Sequence, residues 1–176
     1  EQISILTNGM MLSNKSVIER IISMDPKKKI SFSVSLHSHL ENLSDSLTCC
    51  PGGFNKTING IDNLYTNGFS FSVYSLITST NYMYLKEFVS FLKIRYPKLK
   101  YLTLSFPFMA GMMLENPNLF PRLSSAKPFV EDALKFLEKE KYDYSFTTCG
   151  IIPLCFLQGY ENKIIEQMKN DTLDLL

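Results

Sequence analysis

The 176-residue sequence has no tryptophan, only two histidines and four cysteines, and almost no excess charge: 18 Lys and Arg stand against 17 Asp and Glu, a formal net charge of +1. Near-neutrality removes the electrostatic case for a nucleic-acid partner or an anionic membrane surface, because both require a basic patch to displace counterions. The basic run Lys27-Lys28-Lys29 and the scatter Lys93, Arg95, Lys98 and Lys100 read as solvated loop and helix-end charges. No apolar run approaches the ~20 residues that cross a bilayer, and no signal-peptide pattern opens the chain. The expectation is a cytoplasmic protein with reduced thiols and no membrane partner. Cys49, Cys50, Cys149 and Cys155 have neither the spacing of a disulfide scaffold nor a second C-x2-C to complete a zinc tetrahedron. Carboxylates are also scarce where a site is expected. Glu41, Asp45 and Glu115 are the only ones near the strand ends, so no paired general acid and base is visible and the catalytic residues stay unassigned.

What the sequence does have is a hydrophobic fraction of 45% and an aromatic fraction of 12%. That is too apolar for disorder, sufficient for one domain core and too short for two. Apolar strand-like runs alternate with helical stripes. Strands are expected at 3–6, 30–36, 70–77, 101–106 and, more weakly, 142–147. Helical faces are formed by Val17, Ile18, Ile21 and Ile22; by Phe54, Ile58, Ile61, Leu64 and Tyr65; by Leu85, Phe88, Val89 and Leu92; and by Val130, Ala133, Leu134 and Leu137. Strand–helix alternation at this spacing argues for right-handed βαβ units and a parallel sheet.

The strands carry a second signal. In Ile30 to Leu36 serines alternate strictly with apolar residues, so Phe32, Val34 and Leu36 face one side and Ser31, Ser33 and Ser35 the other. Phe71 and Val73 stand likewise against Ser70, Ser72 and Tyr74, and Leu102, Leu104 and Phe106 against Thr103 and Ser105. A doubly wound sheet needs both faces apolar. The alternation favours helices on one face and a small polar concave face on the other, with a flat two-layer sheet as the second choice.

Ligands of parallel α/β sheets gather at the carboxyl ends of the strands. There the sequence places Thr7-Asn8-Gly9, Ser35-Leu36-His37-Ser38-His39, Thr78-Ser79-Thr80-Asn81 and Ser105 to Gly111. His37 and His39 with Cys49 or Cys50 suggest zinc, but a strand-end histidine tied up in hydrogen bonding is the favoured reading. Met109, Met112 and Met113 are read as gap-filling beside the core rather than as a substrate pocket. Gly52-Gly53 is read as a plain helix start rather than a phosphate cradle, for want of a lysine or a longer glycine pattern.

In their order and spacing, ILTNGMML, SVSLHSHLENLSDSL, PGGFNKTINGIDNLYTNG and LITSTNYMYLKEFVSFL resemble the radical S-adenosylmethionine enzymes, and the tail from Gly150 to Cys155 and Gly159-Tyr160-Glu161 resembles the end of that domain. The resemblance covers nearly the whole chain. It implies a partial, curved parallel (β/α) barrel over 1–147, with 148–176 as a C-terminal extension of the same domain. It implies an iron–sulfur oxidoreductase that cleaves S-adenosylmethionine reductively to a 5′-deoxyadenosyl radical for hydrogen abstraction, with a [4Fe-4S] cluster and an electron donor. By position Thr7 and Ser35 match family residues along the cofactor, and Ser33 and His37 share the register of Ser35. The family's C-x3-C-x2-C motif and its Gly-Gly-Glu segment are absent from this sequence, which begins at Glu1 within a strand. The chain is therefore expected to lack the first two βα units, to hold no metal and to bind neither cofactor by itself. Cys149 and Cys155 could ligate an auxiliary cluster, but buried small hydrophobes are the preferred reading. The substrate is open among peptide, nucleotide and small metabolite. The alternative function is a degenerate or split, non-catalytic βα-barrel binding module.

Overall fold

The computed structural model describes residues 3–99, 101–147 and 152–165. Five strands, β1 (Ile3–Thr7), β2 (Ile30–Ser35), β3 (Ser70–Leu76), β4 (Tyr101–Ser105) and β5 (Tyr144–Thr147), form one sheet in the order β1-β2-β3-β4-β5. All four pairings are parallel. The helices are α1 (Lys15–Met24), α2 (Glu41–Thr48), α3 (Gly53–Thr66), α4 (Leu85–Arg95), α5 (Met112–Glu115) and α6 (Leu123–Lys139). The strand order follows the chain without reversal, so the sheet has no switch point of the doubly wound kind.

Register explains the serine alternation. Phe32 lies beside Phe71 and Val34 beside Val73, while Ser33 lies beside Ser72 and Ser35 beside Tyr74. The first set is buried, at 3%, 4%, 0% and 0% exposure. The second set is half-buried throughout. The buried strand residues join Ile61 and Leu64 of α3, Val89 and Leu92 of α4, and Val130, Leu134 and Leu137 of α6 in one hydrophobic cluster. The core thus lies on one face of the sheet, and the hydroxyl-bearing face is left without it. Each core leucine or valine contributes on the order of 1.5–3 kcal/mol by leaving water.

The junction between β1 and α3 depends on two glycines. Gly9 sits at φ +75°, and a Cβ there would stand 2.8 Å from Val34 Cγ1. A Cβ on Gly60 would stand 2.2 Å from the Gly9 carbonyl oxygen, which shows how closely α3 packs against the turn Met10–Ser13. The hydroxyl of Thr57 donates to the Asn8 carbonyl at 2.9 Å and the side-chain amide of Asn63 to the Leu12 carbonyl at 2.8 Å, locking the same junction.

Helix α2 escaped the sequence reading, because only Leu43 and Leu47 interrupt a polar run and the residue it buries is Ser44. Its Asp45 accepts from the backbone N–H groups of Gly52 (2.5 Å) and Phe54 (2.7 Å). The α3 N-terminus is therefore filled by a carboxylate of the chain itself, in accord with the plain helix start expected at Gly52-Gly53. No helix among the described residues is long and apolar enough to cross a membrane.

Candidate functional site

The carboxyl ends of β1 and β2, the turn after β1, α2 and the start of α3 enclose a cavity of about 140 Å³. Ser35 and His37 reach it from β2, Asn8 and Met10 from the turn, Ser44 from α2, and Cys50 from the α2–α3 connection. No residue lining it is formally charged. What it offers is hydroxyls, an amide, a thiol and an imidazole, which suits hydrogen bonding to an uncharged polar group and not acid–base chemistry at a carboxylate pair.

His37 is the most constrained member. The last ladder bond between β2 and β3 runs from Leu36 N–H to the Tyr74 carbonyl at 3.0 Å. The next donor, Leu76 N–H, is taken by His37 Nδ1 at 3.1 Å. A backbone N–H can only donate, so Nδ1 carries the lone pair and the ring proton sits on Nε2. Burial also disfavours the imidazolium and pushes the pKa from 6.5 down to about 4. The same arrangement argues against His37 as a metal ligand: a ligating imidazole normally donates from its second nitrogen, and here that nitrogen accepts.

The other strand-end polar groups are consumed by the fold. Asn81 accepts from Thr78 N–H at 2.7 Å and donates to the carbonyls of His37 (2.7 Å) and Leu76 (2.8 Å), so its amide ties the end of β2 to that of β3. Ser38 Oγ accepts from Leu40 N–H at 3.0 Å. His39 turns away toward α4, its ring 6.1 Å from that of Phe91. Its pKa is lowered by desolvation, opposed by the charge of Glu87. His37 and Cys50 line the same cavity, but His39 turns away and Cys49 is exposed, so the four do not converge on one point. Among the described residues no three of His, Cys, Asp and Glu come together.

Of the expected cofactor residues, the structure brings Ser33, Ser35 and His37 onto the polar face and leaves Thr7 off it. Thr7 is in register with Val34, on the core side, and its hydroxyl accepts from Gly9 N–H at 3.1 Å. The sequence reading matched Thr7 by motif, but the period of two puts it on the opposite side from Leu6 and Ser33. Ser105 is on the polar side by register yet fully buried, donating to the Phe106 carbonyl at 2.9 Å. Cys155 is exposed, not the buried hydrophobe expected, and Cys149 lies outside the described residues. Two methionines of the β4 loop are a correction as well: Met112 is 69% and Met109 38% exposed, so neither fills a gap beside the core, while Met113 is half-buried. Ser44, 3% exposed against the cavity, was missed altogether, and Tyr74, placed beside Ser35, was assigned to the polar face but not named as a site residue. Strand alternation pointed to Tyr74, whereas nothing in the sequence marked Ser44.

Comparison of the chain with protein-family models and with curated proteins yields no match. Ser33 and Ser35 show no hydrogen bond to protein among the described residues that would compete with a ligand, and Tyr74 stands next to Ser35 across the strand pair.

Proposed function

We propose that this chain forms the lateral wall of a curved, partial (β/α) barrel of the radical S-adenosylmethionine type, with the polar face as its concave, cofactor-facing side. The observation that carries the reading is the one-sided sheet: five parallel strands in chain order, core on one face, hydroxyls and Tyr74 on the other. A second feature supports it. β1 leaves one edge unpaired among the described residues, and Ile3 (57%), Ile5 (38%) and Leu6 (70%) expose apolar surface on both of its faces. An apolar strand edge of this kind is where further parallel βα units would continue the barrel.

Ser33 and Ser35 fit a role in holding the polar portion of S-adenosylmethionine, with His37 Nε2–H as a neutral donor at the strand end. Bound S-adenosylmethionine would supply a sulfonium open to reductive cleavage, chemistry that resides in the cofactor and not in these side chains. The described residues do not fit the cluster, since among them no three metal-ligating side chains come together. The protein's own contribution is to orient a polar ligand against a wall without formal charge.

The test uses a polypeptide in which a C-x3-C-x2-C segment is joined ahead of β1. Under anaerobic conditions with a strong reductant it should convert S-adenosylmethionine to 5′-deoxyadenosine and methionine. A polypeptide that holds its cluster and makes no 5′-deoxyadenosine contradicts the reading.

A further inference from the structure

Several polar side chains that mark the carboxyl ends of the strands in sequence bond loop backbone: Asn8 accepts from Met10 N–H, Ser38 from Leu40 N–H and Asn81 from Thr78 N–H. Asn8 and Thr80 stay exposed, and beside them the loops expose large apolar side chains. Of the fourteen exposed large hydrophobic residues among those described, eight lie in the four segments that leave β1, β2, β3 and β4 at that end. Met11 (67%), Met83 (45%) and Tyr84 (40%) come from the loops after β1 and β3.

The loop after β4 contributes most. It is pinned at its far end, where Ser79 donates through its backbone N–H to the Leu119 carbonyl (2.8 Å) and through its hydroxyl to the Asn118 carbonyl (2.6 Å). It is pinned again where the Phe120 ring meets that of the buried Phe106 at 6.1 Å. Between these anchors residues 108–116 bond mainly to one another, as in Ala110 N–H to the Phe108 carbonyl and Leu114 N–H to the Gly111 carbonyl. Phe108 (59%), Met112 (69%) and Leu114 (66%) are thereby held outward.

Charge is almost missing from this rim. One residue in five of the chain is charged, yet Glu115 is the only Asp, Glu, Lys or Arg in segments 8–14, 36–40, 77–84 and 106–121. A phosphorylated metabolite or nucleotide would find no cation there. A bilayer surface is disfavoured too, because interfacial segments pair their apolar side chains with Lys or Arg. A small lipophile needs an enclosed pocket of several hundred Å³, and the enclosed cavity at this end measures about 140 Å³. The larger space is an open groove of about 460 Å³ bordered by Leu40, Met83 and Tyr84, with Glu41 at its edge held by Asn55 at 2.6 Å. Leu40, Met83 and Tyr84 at this groove, with Met11, Phe108 and Met112 exposed on the other loops of the same end, match the composition of surfaces that take up polypeptide.

We propose that the carboxyl-terminal rim of the sheet docks a polypeptide segment bearing apolar side chains, which is the substrate class of the site described above. The proposal rests on taking that end of the sheet as the working end. Its test needs no cofactor turnover. The protein is labelled with ¹³C at its methionine methyl groups and titrated with a synthetic peptide of alternating leucine and serine. Parallel titrations use the same peptide with glutamate for leucine, ATP, and phosphatidylcholine vesicles. The leucine peptide should shift Met11, Met83 and Met112 and leave Met24 in place; Met24 is 73% exposed but ends α1 at the opposite side of the sheet, so it reports non-specific adhesion. Phe108→Ser and Met112→Ser, both at exposed positions and neutral to folding, should each weaken the peptide about tenfold. No shift, an equal shift at Met24, or equal uptake of ATP, the acidic peptide or the vesicles would overturn the proposal. Loss of this binding with 5′-deoxyadenosine formation intact would remove the docking surface alone, and the converse would remove the cofactor reading alone.

Discussion

At the scale of single residues, hydrogen-bond bookkeeping decides which polar side chains are free to act. His37 has a folded-state pKa near 4 against 6.5 in the unfolded chain, so the unfolded state binds the extra proton between those values. Stability contributed by the neutral ring is complete above pH 6.5 and declines as pH falls through 4, by about 3 kcal/mol at most at 1.36 kcal/mol per unit. Two-bond ¹H–¹⁵N NMR should show His37 protonated on Nε2 alone at pH 5; a doubly protonated ring at that pH contradicts the assignment. His37→Asn, whose Oδ1 can receive Leu76 N–H, should flatten this part of the pH–stability profile while keeping the strand end intact. His37→Phe should cost about 1–3 kcal/mol by orphaning that donor. Asn81 offers a sharper contrast. In Asn81→Asp a carboxylate would face the carbonyls of His37 and Leu76, with a loss of about 2–3 kcal/mol in urea unfolding. A neutral outcome would show that the amide is not the tie between β2 and β3.

At the scale of elements, the close approach of α3 to the turn Met10–Ser13 sets a backbone limit. Gly60→Ala brings a methyl onto the Gly9 carbonyl oxygen, a contact that only separation of the two backbones relieves; unfolding free energy should fall by about 2–4 kcal/mol. Gly53→Ala, also helical, meets the Cys50 side chain at 3.2 Å and Met10 Sδ at 3.5 Å, with no backbone in the way, and should change stability by less than about 1 kcal/mol. Equal effects from the two substitutions would mean that the junction yields. Strands and long helices were legible because their periods of two and of about 3.6 are written in Val, Ile, Leu and Phe. All five strands and the four expected helical faces lie where that pattern puts them. Helix α2 was not legible, since its stabilisation comes from Asp45 reaching across to α3, a tertiary relation that leaves no periodic trace. The orientation of the rim side chains was not legible for a related reason. Composition shows which residues a loop contains and not which way they turn, and in these loops Ser38 and Asn81 serve the backbone while Met11, Met83, Met112 and Phe108 face out.

At the scale of the whole molecule, the sheet has an apolar face that packs the core and a polar face that carries Ser33, Ser35 and Tyr74. Ser33 and Ser35 were legible as members of the polar face because strict alternation carries face assignment along a strand, while Thr7 was named by a motif match, which carries no face, and lies in register with Val34. The most direct test pairs Ser35→Leu with Val34→Asp in the polypeptide carrying a C-x3-C-x2-C segment ahead of β1, reading thermal unfolding and S-adenosylmethionine affinity in each. Ser35→Leu should leave the unfolding midpoint within a few degrees and weaken the cofactor about tenfold or more, because the added side chain intrudes on the polar face and not on the core. Val34→Asp should destabilise by about 4 kcal/mol or more, because an unpaired carboxylate would replace a side chain with 0% exposure. Ser35→Leu that unfolds the protein, or that binds S-adenosylmethionine as tightly as before, contradicts the division of faces on which the functional reading stands.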